Sequence, residues 1–306
     1  MPIIISEKLP AYSTLKKENV FVMKDLRAQT QDIRPLKIAV VNLMPKKIET
    51  ETQLIRMLAN TPLQVELKLV HMESHKTKNT KGDHLNNFYK TFDDIKKEKF
   101  DGMIITGAPV ETIPYQDVDY WEEFKEILDY TKTNVFSTLH LCWGAQGALY
   151  HHYGVKRHFL EKKLFGVFSH KVIEPTSRLM RGFDDEFYAP HSRHTQILEE
   201  ELEKVPNLEI LAKSEEAGIH IASTENMRQI FIQGHGEYDR ETLKNEYLRD
   251  SKKGENIQIP KNYFIDDDPK KDIRIKWRGH SNLLFSNWLN YCVYQETPYN
   301  LEDLKE

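Results

Sequence analysis

Cysteine is nearly absent. Cys142 and Cys292 are the only two among 306 residues, which excludes a disulfide framework and every zinc motif built from paired cysteines. Long apolar runs are missing too: none approaches the ~18 residues of a membrane span, and Ile3-Ile4-Ile5 is cut off by Ser6-Glu7-Lys8, too soon for a signal-peptide core. These absences predict a cytoplasmic protein with no membrane partner. An excess of one charge is also lacking, because 43 Lys and Arg face 47 Asp and Glu for a net charge of −4. No basic footprint for nucleic acid results. Internal repeats, low-complexity blocks and a phosphate-cradling glycine loop are likewise absent. What is present is core material: 14 Phe, 14 Tyr and 4 Trp within a 39% hydrophobic composition, enough to fold a large domain.

In the first half, short β-branched runs alternate with helical patterns, the order that builds a doubly wound α/β fold with a mostly parallel sheet flanked by helices. Strands are expected at 37–41, 65–70, 103–105 and 135–139. Leu54, Ile55 and Leu58 mark a helix over 49–60 that Thr61-Pro62 stops. Leu85, Phe88, Phe92 and Ile95 fall on one helical face, as do Val118, Trp121, Phe124, Ile127 and Leu128. The polar stretch 73–81 reads as a loop. Strand-like pieces at 165–168, 209–212, 219–222 and 229–232 are candidates to extend the same sheet. From Arg240 the chain reads as charged and irregular until an apolar helix around 283–293. The expected organisation is one α/β domain over 35–306, with a C-terminal extension from about 240, behind an N-terminal segment, 1–34, that precedes any clear strand.

Cys142 follows an apolar strand and leads into Trp143-Gly144-Ala145-Gln146-Gly147-Ala148. Such small residues permit the sharp strand-to-helix turn that exposes a nucleophile over a sheet edge. The positive end of the following helix favours a thiolate, and the Trp143 N–H is aimed to hold an oxyanion. Cys292, between Tyr291 and Val293, reads as core. In Gly234-His235-Gly236-Glu237, continued extended backbone puts His235 and Glu237 on one side, where the carboxylate fixes the imidazole tautomer. Alone this spacing is weak; with the elbow it completes a Cys-His-Glu triad. His151-His152 and the pair His191 and His194 lack a partner at metal-ligand spacing, and Asp266-Asp267-Asp268 lacks the pattern of a calcium loop. No metal is expected.

Cys142-Trp143-Gly144-Ala145-Gln146 resembles the Cys-x-Gly-x-Gln elbow of class I glutamine amidotransferase-like proteins, which share a flavodoxin-like sheet. With Gly234-His235-Gly236-Glu237, the chain resembles the homoserine O-acyltransferase family of methionine biosynthesis nearly end to end. The resemblance includes Val41-Asn42-Leu43-Met44-Pro45-Lys46-Lys47, Thr106-Gly107-Ala108-Pro109-Val110-Glu111, Tyr188-Ala189-Pro190-His191-Ser192-Arg193 and 283–291. It implies ping-pong transfer of an acyl group from coenzyme A to the γ-hydroxyl of L-homoserine. Cys142, His235 and Glu237 would be catalytic, and the amides of Trp143 and Leu43 would form the oxyanion hole. It further implies substrate binding by Lys163, Ser192 and Arg249, the last through a planar fork suited to a carboxylate. Glu111 stands where the family separates acyl donors: its carboxylate fills the acyl pocket and repels a succinyl group, so acetyl-coenzyme A is the expected co-substrate and no cofactor is called for. A homodimer is expected from the same resemblance. Gly279 and Ile265 depart from the family pattern, in loops remote from the triad. Three alternatives stay open: a succinyl donor, a glutaminase-type amidotransferase, and a silent metabolite-binding protein.

Overall fold

The computed structural model describes residues 3–18, 22–23, 34–75, 82–254 and 256–304. The chain opens with β1 (Ile3–Ile4), α1 (Pro10–Lys17) and β2 (Val22–Met23). Then come β3 (Leu36–Val41), α2 (Lys47–Leu58), β4 (Val65–Val70), α3 (Gly82–Phe88), β5 (Tyr89–Lys90) and α4 (Phe92–Ile95). The middle of the chain forms β6 (Phe100–Ile105), α5 (Trp121–Asn134), β7 (Val135–Leu141) and α6 (Trp143–Tyr153). Next are β8 (Arg157–Val172), β9 (Glu186–Ile197), α7 (Glu199–Leu202), β10 (Leu208–Ser214), β11 (Gly218–Thr224) and β12 (Gln229–Ile232). Helices α8 (Thr242–Lys252) and α9 (Arg278–Asn287) close the fold, and α9 runs into a wider π turn at Trp288–Tyr294.

All strands join one sheet in the order β2-β1-β4-β3-β6-β7-β12-β11-β10-β8-β9, with β5 beside β4. From β2 to β12 every pairing is parallel; from β12 to β9 every pairing is antiparallel. Successive side chains of a strand point to opposite faces. Thus Ile38 and Val40 enter a core with α2 and Trp288, while Ala39 and Val41 face α5 and α6 on the other side. Covered on both faces, these strands are the continuous apolar runs that the sequence displays. A third cluster, with Phe165, Tyr238, Tyr263 and Trp277 at its heart, anchors α8 to β8.

The expected parallel strands appear, the one at 65–70 with the same bounds and the other three longer. The face from Leu85 to Ile95 is not one helix: Tyr89 and Lys90 leave it to pair with Leu69 and Val70, and a capping box at Thr91 starts a new turn. The chain after Arg240 is not irregular throughout, since α8 occupies it. Residues 73–75 of the expected loop bend as anticipated, and 76–81 lie outside the described residues, as do 1–2, 19–21 and 24–33 of the N-terminal segment. Its Ile3–Ile4 pair adds to the sheet beside Val65 and Glu66. Among the described residues no helix is long and apolar enough to cross a membrane.

Candidate active site

Parallel neighbours end at the same edge, and that fact assembles the site. Loops after β3, β6, β7 and β12 leave one edge together, bringing Met44, Pro45, Gly107–Pro109, Cys142 and His235 around a pocket of about 280 Å³. Cys142 stands at the turn between β7 and α6 with φ 49° and ψ −115°, a left-handed backbone that a side-chain-bearing residue adopts only under strain. Gly144 makes this turn possible: a Cβ there would lie 2.7 Å from the Thr106 carbonyl oxygen. The helix therefore seats directly on the backbone of the neighbouring strand. As the first residue of α6, Trp143 offers an N–H with no acceptor inside the helix.

His235 lies beside Cys142, both against Gly107 and both lining the pocket. Its Nδ1 is 2.7 Å from Glu237 Oε1, and the Tyr238 ring stacks on the imidazole at 4.2 Å. All three polar members are buried, with exposures of 6%, 3% and 5% for Cys142, His235 and Glu237. Extended backbone does not persist after β12; the chain turns at His235, whose carbonyl accepts from the Tyr238 N–H (3.3 Å), and the turn still delivers the carboxylate. Burial works against a charged imidazole here, yet attraction to Glu237 and Cys142 wins and holds His235 well above the usual histidine range.

The Leu43 expectation needs correction. Its amide donates to Thr106 Oγ1 at 2.8 Å and is spent on the protein. Gly107 lies against Cys142, since a Cβ there would sit 3.1 Å from Cys142 Cβ and 3.6 Å from His235 Cε1.

Lys163, Ser192 and Arg249 line the same pocket. Lys163 Nζ and Ser192 Oγ both donate to Glu246 Oε1, at 2.5 and 2.7 Å. Arg249 forks onto Asp250 at 2.5 and 2.8 Å. Glu246, Arg249 and Asp250 recur at helical spacing and turn one face of α8 toward the pocket. Sequence reasoning missed Glu246, the acceptor at the centre of this group; its signal was the position three residues before Arg249. Glu111 also lines the pocket. It lies in a turn rather than a helix, with Oε2 accepting from Thr195 Oγ1 at 3.0 Å.

Strand alternation sorts β9. Ser192 and His194 line the pocket, while His191, Arg193 and Thr195 point inward and are buried. His191 and His194 are thus on opposite faces and do not form a ligand pair. A different trio, His170, His191 and His220, clusters within metal-ligand reach. It suits a cation poorly, because Arg193 Nε lies 3.3 Å from His191 Nδ1 and puts a positive charge against it. A second cluster is Asp129, His151 and His152, whose His151 Nε2 is 2.7 Å from Asp129 Oδ1. Cys292 packs in the core, and burial pushes its thiol up to about 12.

The family described as homoserine O-succinyltransferase matches residues 2–299. A homoserine O-acetyltransferase of Clostridium novyi is 62% identical over 98% of this chain and 99% of its own length. One from Acetivibrio thermocellus is 59% identical over the full length of both. Among solved structures, a glutamine amidotransferase from Thermotoga maritima superposes with a TM-score of 0.51, covering 84% of this chain and 98% of that one at 12% identity, a likeness of fold.

Proposed function

This chain belongs to the homoserine O-succinyltransferase family, and from that premise we propose that it moves an acetyl group from acetyl-coenzyme A to the γ-hydroxyl of L-homoserine through an acyl-Cys142 intermediate. One observation carries the proposal: a buried cysteine at a strained elbow, beside a histidine that a buried glutamate orients, inside a pocket sized for a small acyl group.

In the first half-reaction the Cys142 thiolate attacks the thioester carbonyl. The Trp143 N–H and an amide of the Gly107–Ala108 turn hold the oxyanion. The carbon–sulfur bond to coenzyme A then breaks, and the leaving thiolate takes the proton from His235. Acylation removes the negative charge on sulfur that had helped keep His235 protonated. The histidine is thereby turned into a base. In the second half-reaction it takes the homoserine hydroxyl proton; the alkoxide attacks the acyl-cysteine, and its collapse returns the thiolate and the imidazolium. Arg249 suits the homoserine carboxylate and Glu246 its ammonium, with Lys163 and Ser192 holding Glu246 in place. The pantetheine arm has an entry in the adjoining cavity of about 770 Å³, which shares Met44, Pro45 and Tyr238 with polar residues of α8. Acetyl-coenzyme A is a co-substrate, so the cycle needs no cofactor.

Acetyl is favoured over succinyl because Glu111, tied to Thr195, lines the acyl pocket and would face a distal carboxylate; the names of the relatives at 62% and 59% identity point the same way. A cytoplasmic homodimer completes the reading on the family resemblance, and light scattering should give about twice the 36.1 kDa protomer mass.

Intact-protein mass spectrometry after mixing with either acyl-coenzyme A, with Cys142→Ala as the blank, tests the proposal. An acetyl label that homoserine discharges as O-acetylhomoserine is expected. Glu111→Gly should shift the acetyl-to-succinyl ratio of kcat/KM at least about 10-fold toward succinyl. A stable succinyl label on the parent protein would overturn the donor assignment, and ammonia release from glutamine without any acyl label would overturn the reaction.

A further inference from the structure

Arg193 is a cation with nowhere to discharge. It is 1% exposed, and among the described residues no carboxylate lies within ion-pair distance of it. Its guanidinium donates from Nη1 to the Thr195 carbonyl (2.6 Å), from Nη2 to the Ala217 carbonyl (2.5 Å) and from Nε to His191 Nδ1 (3.3 Å). Because a guanidinium only donates, His191 Nδ1 accepts, so the His191 proton sits on Nε2 and is passed to His170 Nε2 at 3.0 Å. Both imidazoles are therefore neutral. Burial, with Arg193 adding to it, holds His191 well below the usual range and His170 at about 3, and burial does the same to His220, packed on His170 at 4.4 Å. The charge of Arg193 is unneutralised within a layer of neutral rings.

An isolated buried ion costs several kcal/mol, so its location matters. The Thr195 carbonyl that takes Nη1 also accepts from Gln146 Nε2 (3.4 Å), and the backbone N–H of Gln146 donates to the Cys142 carbonyl (3.1 Å). Thr195 Oγ1 in turn lies 3.0 Å from Glu111 Oε2. Arg193 is thus linked to the elbow through Thr195 and Gln146. The anions in its field are Cys142 and Glu111, and both draw on a guanidinium that burial brings down to about 10. The other titratable groups nearby are His170, His191, His220 and His235.

We propose that Arg193 is a positioning residue that acts through its charge, a fixed counter-ion beneath the pocket that stabilises the Cys142 thiolate and the anion of the tetrahedral intermediate. This rests on Cys142 being the nucleophile, but not on the identity of the acyl group or acceptor. A purely structural clamp joining β9 to the turn before β11 would use the same hydrogen bonds without needing the charge.

The pH dependence of Cys142 alkylation by iodoacetamide, a neutral reagent, separates the two. In Arg193→Gln and Arg193→Met the acid limb should move up by about one pH unit, so that alkylation on the limb slows about 10-fold while the high-pH plateau stays level. Arg193→Lys, keeping the charge, should restore the parent limb. If neither neutral variant folds, His191→Glu serves: it leaves the guanidinium its hydrogen bonds but neutralises it with a carboxylate, and the same upward displacement is expected. Unmoved limbs in folded variants would overturn the role of Arg193. Failure of the parent Cys142 to alkylate would instead strike at the nucleophile assignment.

Discussion

The two halves of the sheet bury different things. In the parallel half, β3, β6 and β7 put Ile38, Val40, Met103, Ile104, Leu139 and Leu141 into the core, with Asp101, Ser137, Thr138 and His140 the polar side chains buried among them. In the antiparallel half, β8, β9 and β11 bury His170, His191, Arg193, Thr195, His220 and Ser223. The first half obtains its stability from apolar area and presents one sharp edge. The second buries the cation Arg193 among its polar groups and sets the electrostatics beneath that edge. The site lies at their seam, where β12 pairs parallel with β7 and antiparallel with β11. Cys142 is delivered by the apolar half, and His235 by the strand that joins the two.

If that division holds, changes at the seam should remove activity without unfolding the protein. Glu237→Gln is the largest such change. The amide keeps the shape but loses the charge that helps hold His235 protonated, and it can present the wrong partner to Nδ1, so kcat should fall about 10³-fold. The sign of the pH effect follows. Losing the carboxylate lowers the His235 pKa, so imidazolium disappears at a lower pH and the basic limb of Cys142 acylation moves down. Single-turnover acylation across pH measures both, and an unchanged basic limb would separate Glu237 from His235. Thermal unfolding should stay within a few degrees of the parent.

The same division explains what could be read in advance. Strands were legible at 37–41, 65–70 and 135–139 from their short β-branched and apolar runs, and the structure extends the first and last to 36–41 and 135–141. β6 looked shorter than it is because Asp101 interrupts the run; the carboxylate is fully buried and held by Arg34 at 2.8 and 3.0 Å. β9 escaped as a strand because its inward face is His191, Arg193 and Thr195, residues that no hydropathy pattern marks as core. Cys142, His235 and Glu237 were legible as two local motifs whose chemistry requires neighbours in sequence. Glu246 and Arg193 were not, since what each does depends on partners brought by other elements: Lys163 and Ser192 for the one, Gln146 through Thr195 for the other.

A cavity in the apolar half should show the opposite profile to the seam. Ile38 is fully buried, and its Cδ1 abuts the approach of Gly102 together with Trp288. Ile38→Ala removes three carbons from a site walled by strand and indole, and should cost about 3 kcal/mol. Urea unfolding at constant m-value measures it. The folded fraction should keep its kcat within about twofold, and a kcat loss that tracked the stability loss would show the apolar half reaching into the chemistry.

The smallest expected effect uses the two cysteines as reporters of the seam and of the apolar half. Cys292 sits in the π turn that packs on β6 and β7, 2% exposed, its thiol raised to about 12 by burial, and among the described residues it has no base like His235 beside it. Cysteine so placed is a small apolar filler. Cys292→Ala should cost about 1 kcal/mol for the lost sulfur contacts and leave turnover unchanged. Native alkylation should label one thiol per chain in the parent and in this variant alike, and none in Cys142→Ala. Labelling of Cys292 in the native protein would mean that the π turn opens on the time scale of the reaction, and the apolar half would then be less rigid than its packing implies.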